Sequence, residues 1–327
     1  MLKLNKYLIN NFFSSFFTLF AILFIIASMV LLLAISNMTA ILKINISEFM
    51  YLYILSLPEI IFYTLPITFF ITAALSISKL FENSELTTVL ALGISPKQIV
   101  RPFLYISIGI TFILFIITFF SIPTSQILYK NFINIKKTES QFNFSPSSIG
   151  QKVGEWNIFI QKKEKNRYKD IILYNSTKNI LINAKEAKTF RKGNYFVLSL
   201  YQGQLYTQNN NKISKIEFNK LNLNQKISIT KLSLNTITQY LKKYKSKTNK
   251  YFLISFFPLI SFFFIASISF FHNRYQNNHS IIYALAISII YYTIVFITYR
   301  HLYAILFILP ISIIIAKIIE RKRIKQF

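Results

Sequence analysis

The sequence predicts an α-helical membrane protein: six transmembrane helices in a 3+3 arrangement, with an all-β domain inserted between the two triplets. Three observations carry this. Hydrophobic residues fill 53% of the 327 positions and charged residues only 15%. Six stretches are apolar and almost uncharged, each near the ~20 residues a helix needs to cross a ~30 Å hydrocarbon core. Between the third and fourth lies a polar segment, 123–249, in which apolar residues alternate.

The first span is Phe12–Ile35, in a stretch with no formal charge between Lys6 and Lys43. Residues 1–11 read as a short interfacial helix leading into it. They are not read as a signal peptide, because the apolar run far exceeds the roughly 7–15-residue core of one and no small-x-small site ends it. Phe49–Ser78 is the second span, interrupted by Pro58, Glu59 and Pro66, and Phe103–Ile122 is the third. Tyr251–Phe271, Ile281–Thr298 and Leu302–Ala316 complete the set. The last two are short, and Tyr291, Tyr292, Tyr299 and Tyr303 suit them as interfacial anchors. The chain thus divides into 1–122, 123–249 and 250–327.

Orientation follows from basic residues near the spans. One side carries Lys3, Lys6, Lys79, Lys97, Arg101, Arg274, Lys317, Arg321, Lys322, Arg323 and Lys325; the short loops opposite carry Lys43 and Arg300. Eleven against two places both termini in the cytoplasm and the long segment outside.

That external segment holds 23 of the 37 basic residues. Its alternating runs are Trp156, Ile158, Ile160; Ile180, Ile182, Ala184; Phe196, Leu198, Leu200; and Ile216, Phe218. Turn-forming clusters separate them, at Arg191-Lys192-Gly193-Asn194 and Asn209-Asn210-Asn211-Lys212. Period-2 runs at fairly even spacing argue an all-β sandwich or open barrel. Its apolar face reads either as core or as a binding surface.

Composition also excludes chemistry. Without cysteine there is no disulfide, thiolate nucleophile or Cys-ligated metal. Six glycines, at 93, 109, 150, 154, 193 and 203, cannot assemble a phosphate-binding loop. The chain therefore binds no nucleotide through a P-loop, and no cofactor is expected. His272, Arg274 and His279 lack a nearby carboxylate and make a poor metal site. The net charge of +26 has two readings, an anionic partner or the lysine excess of AT-rich coding. In a chain of this class no nucleic-acid partner is expected.

Between the second and third spans, Glu82–Leu92 can form a short helix along the membrane face, with Leu86, Val89 and Leu90 on one side at i, i+3, i+4. Gly93 suits its C-terminus and Pro96 stops it. Glu59 lies about ten residues inside the second span, roughly 15 Å deep at a ~1.5 Å rise. Carboxylates there are rare and face a protein interior or wet cavity. It is either functional or a structural group satisfied by backbone freed at Pro58 or Pro66. With no relay partners visible in the other spans, a structural or hinge role is preferred.

The segment 55–103 resembles the lipopolysaccharide export permeases, the LptF/LptG type of ABC transporter subunit. The shared features are Leu57-Pro58-Glu59, Pro66, Ser84-Glu85 and Gly93-Ile94-Ser95. The three-plus-three layout around a central β-domain extends the resemblance end to end, and Pro58-Glu59 leans towards the F-type subunit. The resemblance implies a periplasmic jellyroll-like domain and a cytoplasmic coupling helix at about 82–95 that docks an ATPase through Glu82, Ser84, Glu85, Leu86, Val89, Gly93 and Ser95. It implies as partners a second LptF/LptG-type permease, an LptB-type P-loop ATPase dimer that uses the ATP, and periplasmic LptC/LptA-type bridge proteins. It implies that the first and fifth spans admit lipopolysaccharide or lipooligosaccharide from the inner membrane, with no covalent chemistry by this chain.

Lipid phosphates need cations, and Lys43 and Arg300 are the positioned candidates, followed by Lys130, Lys136 and Lys137. Met29–Ala40 carries none of the basic residues that family members often place in the outer part of the first span. Lys43 reads equally as a snorkelling flank residue. The competing readings are another lipid or envelope-component ABC exporter, a membrane enzyme, and a membrane-anchored β-domain scaffold. The enzyme needs more ionisable groups at membrane depth than Glu59, and the scaffold needs neither six spans nor an amphipathic loop.

Overall fold

The computed structural model describes residues 2–324 except 43, 145, 154, 165–166, 210–211, 271–278 and 301–303. In chain order it contains α1 (Leu2–Leu42), α2 (Ile46–Glu82), α3 (Glu85–Ala91) and α4 (Pro96–Ile116). A π-helical turn (Ile117–Ser121) and α5 (Ile122–Gln141) follow, and then β1 (Ser147–Val153), β2 (Trp156–Glu164), β3 (Arg167–Asn175), β4 (Ile180–Lys192), β5 (Tyr195–Asn209) and β6 (Lys212–Lys226). The chain closes with α6 (Leu234–Lys243), α7 (Lys245–Ser255), α8 (Phe257–Ser269), α9 (Ser280–Thr298) and α10 (Ala304–Ile324). Two compact units result. One comprises Met1–Ser36, Met50–Ile127 and Leu232–Phe327; the other Asn37–Phe49 and Leu128–Lys231.

Five helices among the described residues are long and apolar enough to cross a membrane: Lys3–Met38, Ile46–Glu82, Pro96–Ser140, Lys245–Ser269 and Ser280–Thr298. The sixth expected span falls in α10, whose apolar part among the described residues, Pro310–Ile319, is shorter. The interfacial helix expected over residues 1–11 is not separate. No Gly or Pro interrupts residues 2–42, so α1 runs through as one helix. The third span also continues past residue 122, through the π-helical turn into α5. That wider turn directly precedes Pro123, whose ring would clash with the carbonyl four residues back in a regular helix.

α2 is the central helix. Its buried face carries Thr64, Thr68, Thr72 and Ser76, each donating its hydroxyl to the carbonyl four residues earlier. Small, internally satisfied side chains at this spacing let neighbouring helices approach closely. Aromatic contacts fill the rest: Phe12 meets Phe69 and Phe103, Phe70 meets Phe257, and Phe81 meets Phe270. α1 is the least buried of the five spans; Phe17, Val30 and Leu33 are each about two-thirds exposed, a surface that needs a bilayer or another protein to cover it. Tyr291 and Tyr292, expected as interfacial anchors, instead tie helices together. Tyr291 donates to the Leu253 carbonyl at the α7–α8 break (2.6 Å) and Tyr292 to that of Tyr63 (3.3 Å).

The β-unit is a six-stranded antiparallel meander in which every strand pairs with its neighbour in sequence. The inserted all-β domain is therefore present, but the interleaved strand order of a jellyroll is not. Two predicted turns close hairpins: Lys192 pairs with Tyr195 around Gly193 (φ +60°), and Asn209 pairs with Lys212.

A single crease crosses this sheet. Gln161, Asp170, Lys185, Gln202 and Asn219 form one transverse row from β2 to β6, and each drops out of the ladder while pairing resumes in register on both sides. Asp170 and Gln202 adopt left-handed backbone (φ +51° and +49°), and all five side chains are exposed. Across the row the inward face changes parity. Tyr168 is buried on one side of Asp170 and Ile171 and Leu173 on the other; Ile182 and Ala184 are followed by Ala187. Both halves contribute to one core, with only a few residues such as Phe142, Phe144 and Ile227 supplied from outside the strands. One sheet thus covers its own apolar face by folding about the crease. Ile216, read from the alternation as part of the apolar face, is exposed on the edge strand β6.

Gly203 sits beside the crease, opposite Phe218. A Cβ there would overlap the Asn183 carbonyl oxygen and the Phe218 ring. Gly203→Val is expected to destabilise the β-unit by about 1–3 kcal/mol, the usual range for overpacking. Faster proteolysis within 128–231 of the purified chain, with the helices unaffected, is the readout; wild-type resistance would contradict this packing.

Candidate functional site

The loop between the second and third spans is built around two left-handed residues. α2 ends at Glu82, Ser84 takes φ +59°, and α3 begins at Glu85, so the helix predicted over Glu82–Leu92 is shorter and its first residues belong to α2 and the turn. Gly93 (φ +83°) closes α3, its N–H donating to the Leu90 carbonyl (2.9 Å). Ser95 then starts α4, its N–H bonded to the Gln98 side chain (3.1 Å), with Pro96 in the first turn.

The faces of α3 separate cleanly. Leu86 is buried, and Val89, Leu90 and Ile94 pack partly buried against the same core, to which Leu4 and Leu8 of α1 also belong. Glu82, Ser84, Glu85, Thr88, Leu92, Gly93 and Ser95 are exposed. Leu86 therefore seats the element, while the surface open to a partner is acidic at its start and apolar at Leu92, which is 77% exposed. Glu85 is engaged from within the chain. Its Oε2 accepts from the Tyr7 hydroxyl (2.9 Å), and its Oε1 lies 3.4 Å from Asn83 Nδ2.

The second constellation centres on Glu59 of α2, a helix that continues through both Pro58 and Pro66. Tyr251 of α7 donates its hydroxyl to Glu59 Oε1 (2.6 Å), and Gln126 of α5 donates its amide to Oε2 (2.8 Å). Nearby, the Lys250 ammonium lies over the rings of Tyr63, Tyr251 and Phe296 at 5.4, 5.6 and 4.5 Å. Neutral donors on two other helices satisfy both carboxylate oxygens, which makes Glu59 a three-helix tie.

The predicted basic residues have different surroundings. Lys43 lies outside the described residues. Arg300 is exposed in the turn after α9, Lys130 is half-buried on α5 and Lys137 is exposed. Lys136 is committed internally: it bridges Glu48 (2.6 Å) and Glu139 (2.9 Å) with its side chain 12% exposed. A cluster not singled out from the sequence is Lys243, Lys247 and Lys250, which line a cavity of about 380 Å³ with Tyr244, Ser246, Phe296 and Tyr299. The signal was present as five lysines between 242 and 250, read only as the end of the external segment. No group of His, Asp or Glu among the described residues could hold a metal ion.

The arrangement supplies a surface for docking, a satisfied carboxylate inside the bundle and a cationic, aromatic-walled cavity. The family model for the lipopolysaccharide export system permease LptF/LptG matches residues 6–319. No curated protein matches the chain.

Proposed function

The chain belongs to the LptF/LptG family of lipopolysaccharide export permeases, and from that premise we propose that it is one of two permease subunits driven by a separate cytoplasmic ATPase. Family membership makes it a multipass inner-membrane protein working with other Lpt components. The specific partners in this reading are a second LptF/LptG-type permease, an LptB-type ATPase dimer and an LptC/LptA-type periplasmic bridge. Both termini lie in the cytoplasm and the β-unit in the periplasm. The family covers both subunit types, and the F-type reading rests on Pro58-Glu59 alone.

The observation that carries this reading is α3. A short helix seated by Leu86 and presenting Glu85, Thr88 and Leu92 outward suits a subunit that receives force from a soluble motor. The lipid is extracted as an intact molecule. Each CH₂ withdrawn from the bilayer exposes apolar surface worth about 0.8 kcal/mol, so extraction of several acyl chains needs both ATP and an apolar path. Lys243, Lys247 and Lys250, with Arg300 next to Tyr299 in the chain, offer positive charge to the lipid phosphates, and Phe296 and Tyr299 offer apolar contact.

Glu85→Lys is expected to lower recovery of the ATPase with the tagged chain by about tenfold or more, because attraction becomes repulsion at the docking face. Membrane insertion is expected to be unchanged. Co-purification at wild-type levels would remove Glu85 from the coupling role.

A further inference from the structure

The hydrogen bond from Tyr7 to Glu85 joins residues 78 positions apart, one near the start of α1 and one at the start of α3. It is not an isolated surface contact. Leu4 and Leu8, flanking Tyr7 on α1, pack into the core that also receives Leu86, Val89 and Leu90. Both elements thus bury side chains in one bundle core, and the printed bond that joins them is the polar contact above it. The polar contact is selective. Tyr7 occupies Oε2, while the other bond to the carboxylate among the described residues, from Asn83 to Oε1, is long at 3.4 Å. One oxygen is fixed, and the other remains able to accept a strong bond from a cation.

Backbone around the carboxylate adds to this. Ser84 takes left-handed φ with no side-chain cap on α3, and Thr87 and Thr88 return their hydroxyls to the Ser84 carbonyl. Ser84 gives the first turn of α3 no cap bond, and the Glu85 side chain is held by the short bond from Tyr7 and the longer one from Asn83. α1, at the other end of that contact, is the least buried of the five spans. A displacement of α3 can thus be handed to the span least enclosed by the rest of the bundle.

We propose that Tyr7 is a positioning residue for Glu85, and that it ties the first membrane span directly to the ATPase-docking helix. The proposal rests on the reading of α3 as the docking element. Tyr7 orients the carboxylate and hands its movement to α1; the phenol itself does no chemistry.

The test uses the reconstituted complex of this chain, the second permease and the ATPase in proteoliposomes, with lipopolysaccharide released per ATP hydrolysed as the readout. Tyr7→Phe keeps the ring and removes only the hydroxyl. It is expected to lower release per ATP about fivefold, the effect of one exposed hydrogen bond to a charged group, with thermal stability and ATPase recovery as in wild type. On a Glu85→Gln background the same change is expected to add nothing, because the two residues then act as one unit. Wild-type release from Tyr7→Phe beside an impaired Glu85→Gln overturns the role of Tyr7, as do losses that multiply in the double variant. If Glu85→Gln alone binds and couples the ATPase normally, the docking assignment of α3 falls, and this proposal with it.

Discussion

Leu86→Asp is expected to abolish ATPase recovery with the purified chain while leaving the helical bundle in the membrane. Leu86 is the fully buried residue of α3, at 1% exposure, and carries most of the apolar anchoring of a seven-residue helix. Removing it forfeits about 2 kcal/mol of burial. Placing a carboxylate in the apolar core that Leu86 enters adds several kcal/mol more. So short a helix has no stability of its own to set against that sum, so α3 leaves its seat. Trypsin cleavage at Lys79 and Lys97 should accelerate, whereas Leu86→Met, near-isosteric, should bind the ATPase normally at a cost under about 1.5 kcal/mol. Full ATPase recovery by Leu86→Asp would show that the exposed face docks without its internal seat.

Glu59→Leu is expected to lower the thermal stability of the detergent-purified chain, because it strands two donors at once. The Tyr251 hydroxyl and the Gln126 amide both lose their acceptor, and a stranded buried donor costs about 1–3 kcal/mol. Relief of the partly buried charge offsets some of that. Tyr251→Phe removes one donor and leaves the carboxylate with the other, so its loss should be smaller, and Glu59→Gln, which keeps an acceptor oxygen, should fall near it. The order separates a tie from a relay. A relay would lose transport equally in Glu59→Gln and Glu59→Leu with stability unchanged, and that pattern would defeat the structural assignment.

The spans were legible because a bilayer imposes a length and a polarity that composition alone reveals; Phe49–Ser78 and Ile281–Thr298 lie within helices of nearly those limits. The β-unit was legible only by halves. Each alternating run read from the sequence stops at the crease: Ile160 before Gln161, Ala184 before Lys185, Leu200 before Gln202, Phe218 before Asn219. Beyond it the parity inverts, so β3, with Tyr168 and Ile171 three apart, does not read as one strand, and long creased strands read as several short ones. The alternation therefore read only as a sandwich or open barrel, the jellyroll-like form being what the resemblance implied, and the strands stand in the order of a meander. In the candidate site, Gly93 and Pro96 announced the end of the loop helix through local chemistry, while Ser84-Glu85 stood out only by the resemblance. The partners of Glu59 and the Glu48 partner of Lys136 were not legible, since Gln126, Tyr251 and Glu48 are distant in sequence and carry no spacing signal.

Strand order in the β-unit also bears on when the domain can form. Each of the five pairings joins neighbours in the chain, so loop closure for every step is short and its entropic cost small. β1 and β2 can zip as soon as both have been synthesised, and each later hairpin adds to a finished edge. A jellyroll must wait for its last strand to return beside its first, leaving long edges open meanwhile. Here the open edges are the outer side of the short β1 and the growing one, and the lysines spaced along β6, Lys215, Lys220 and Lys226, discourage that final edge from pairing with a second nascent chain.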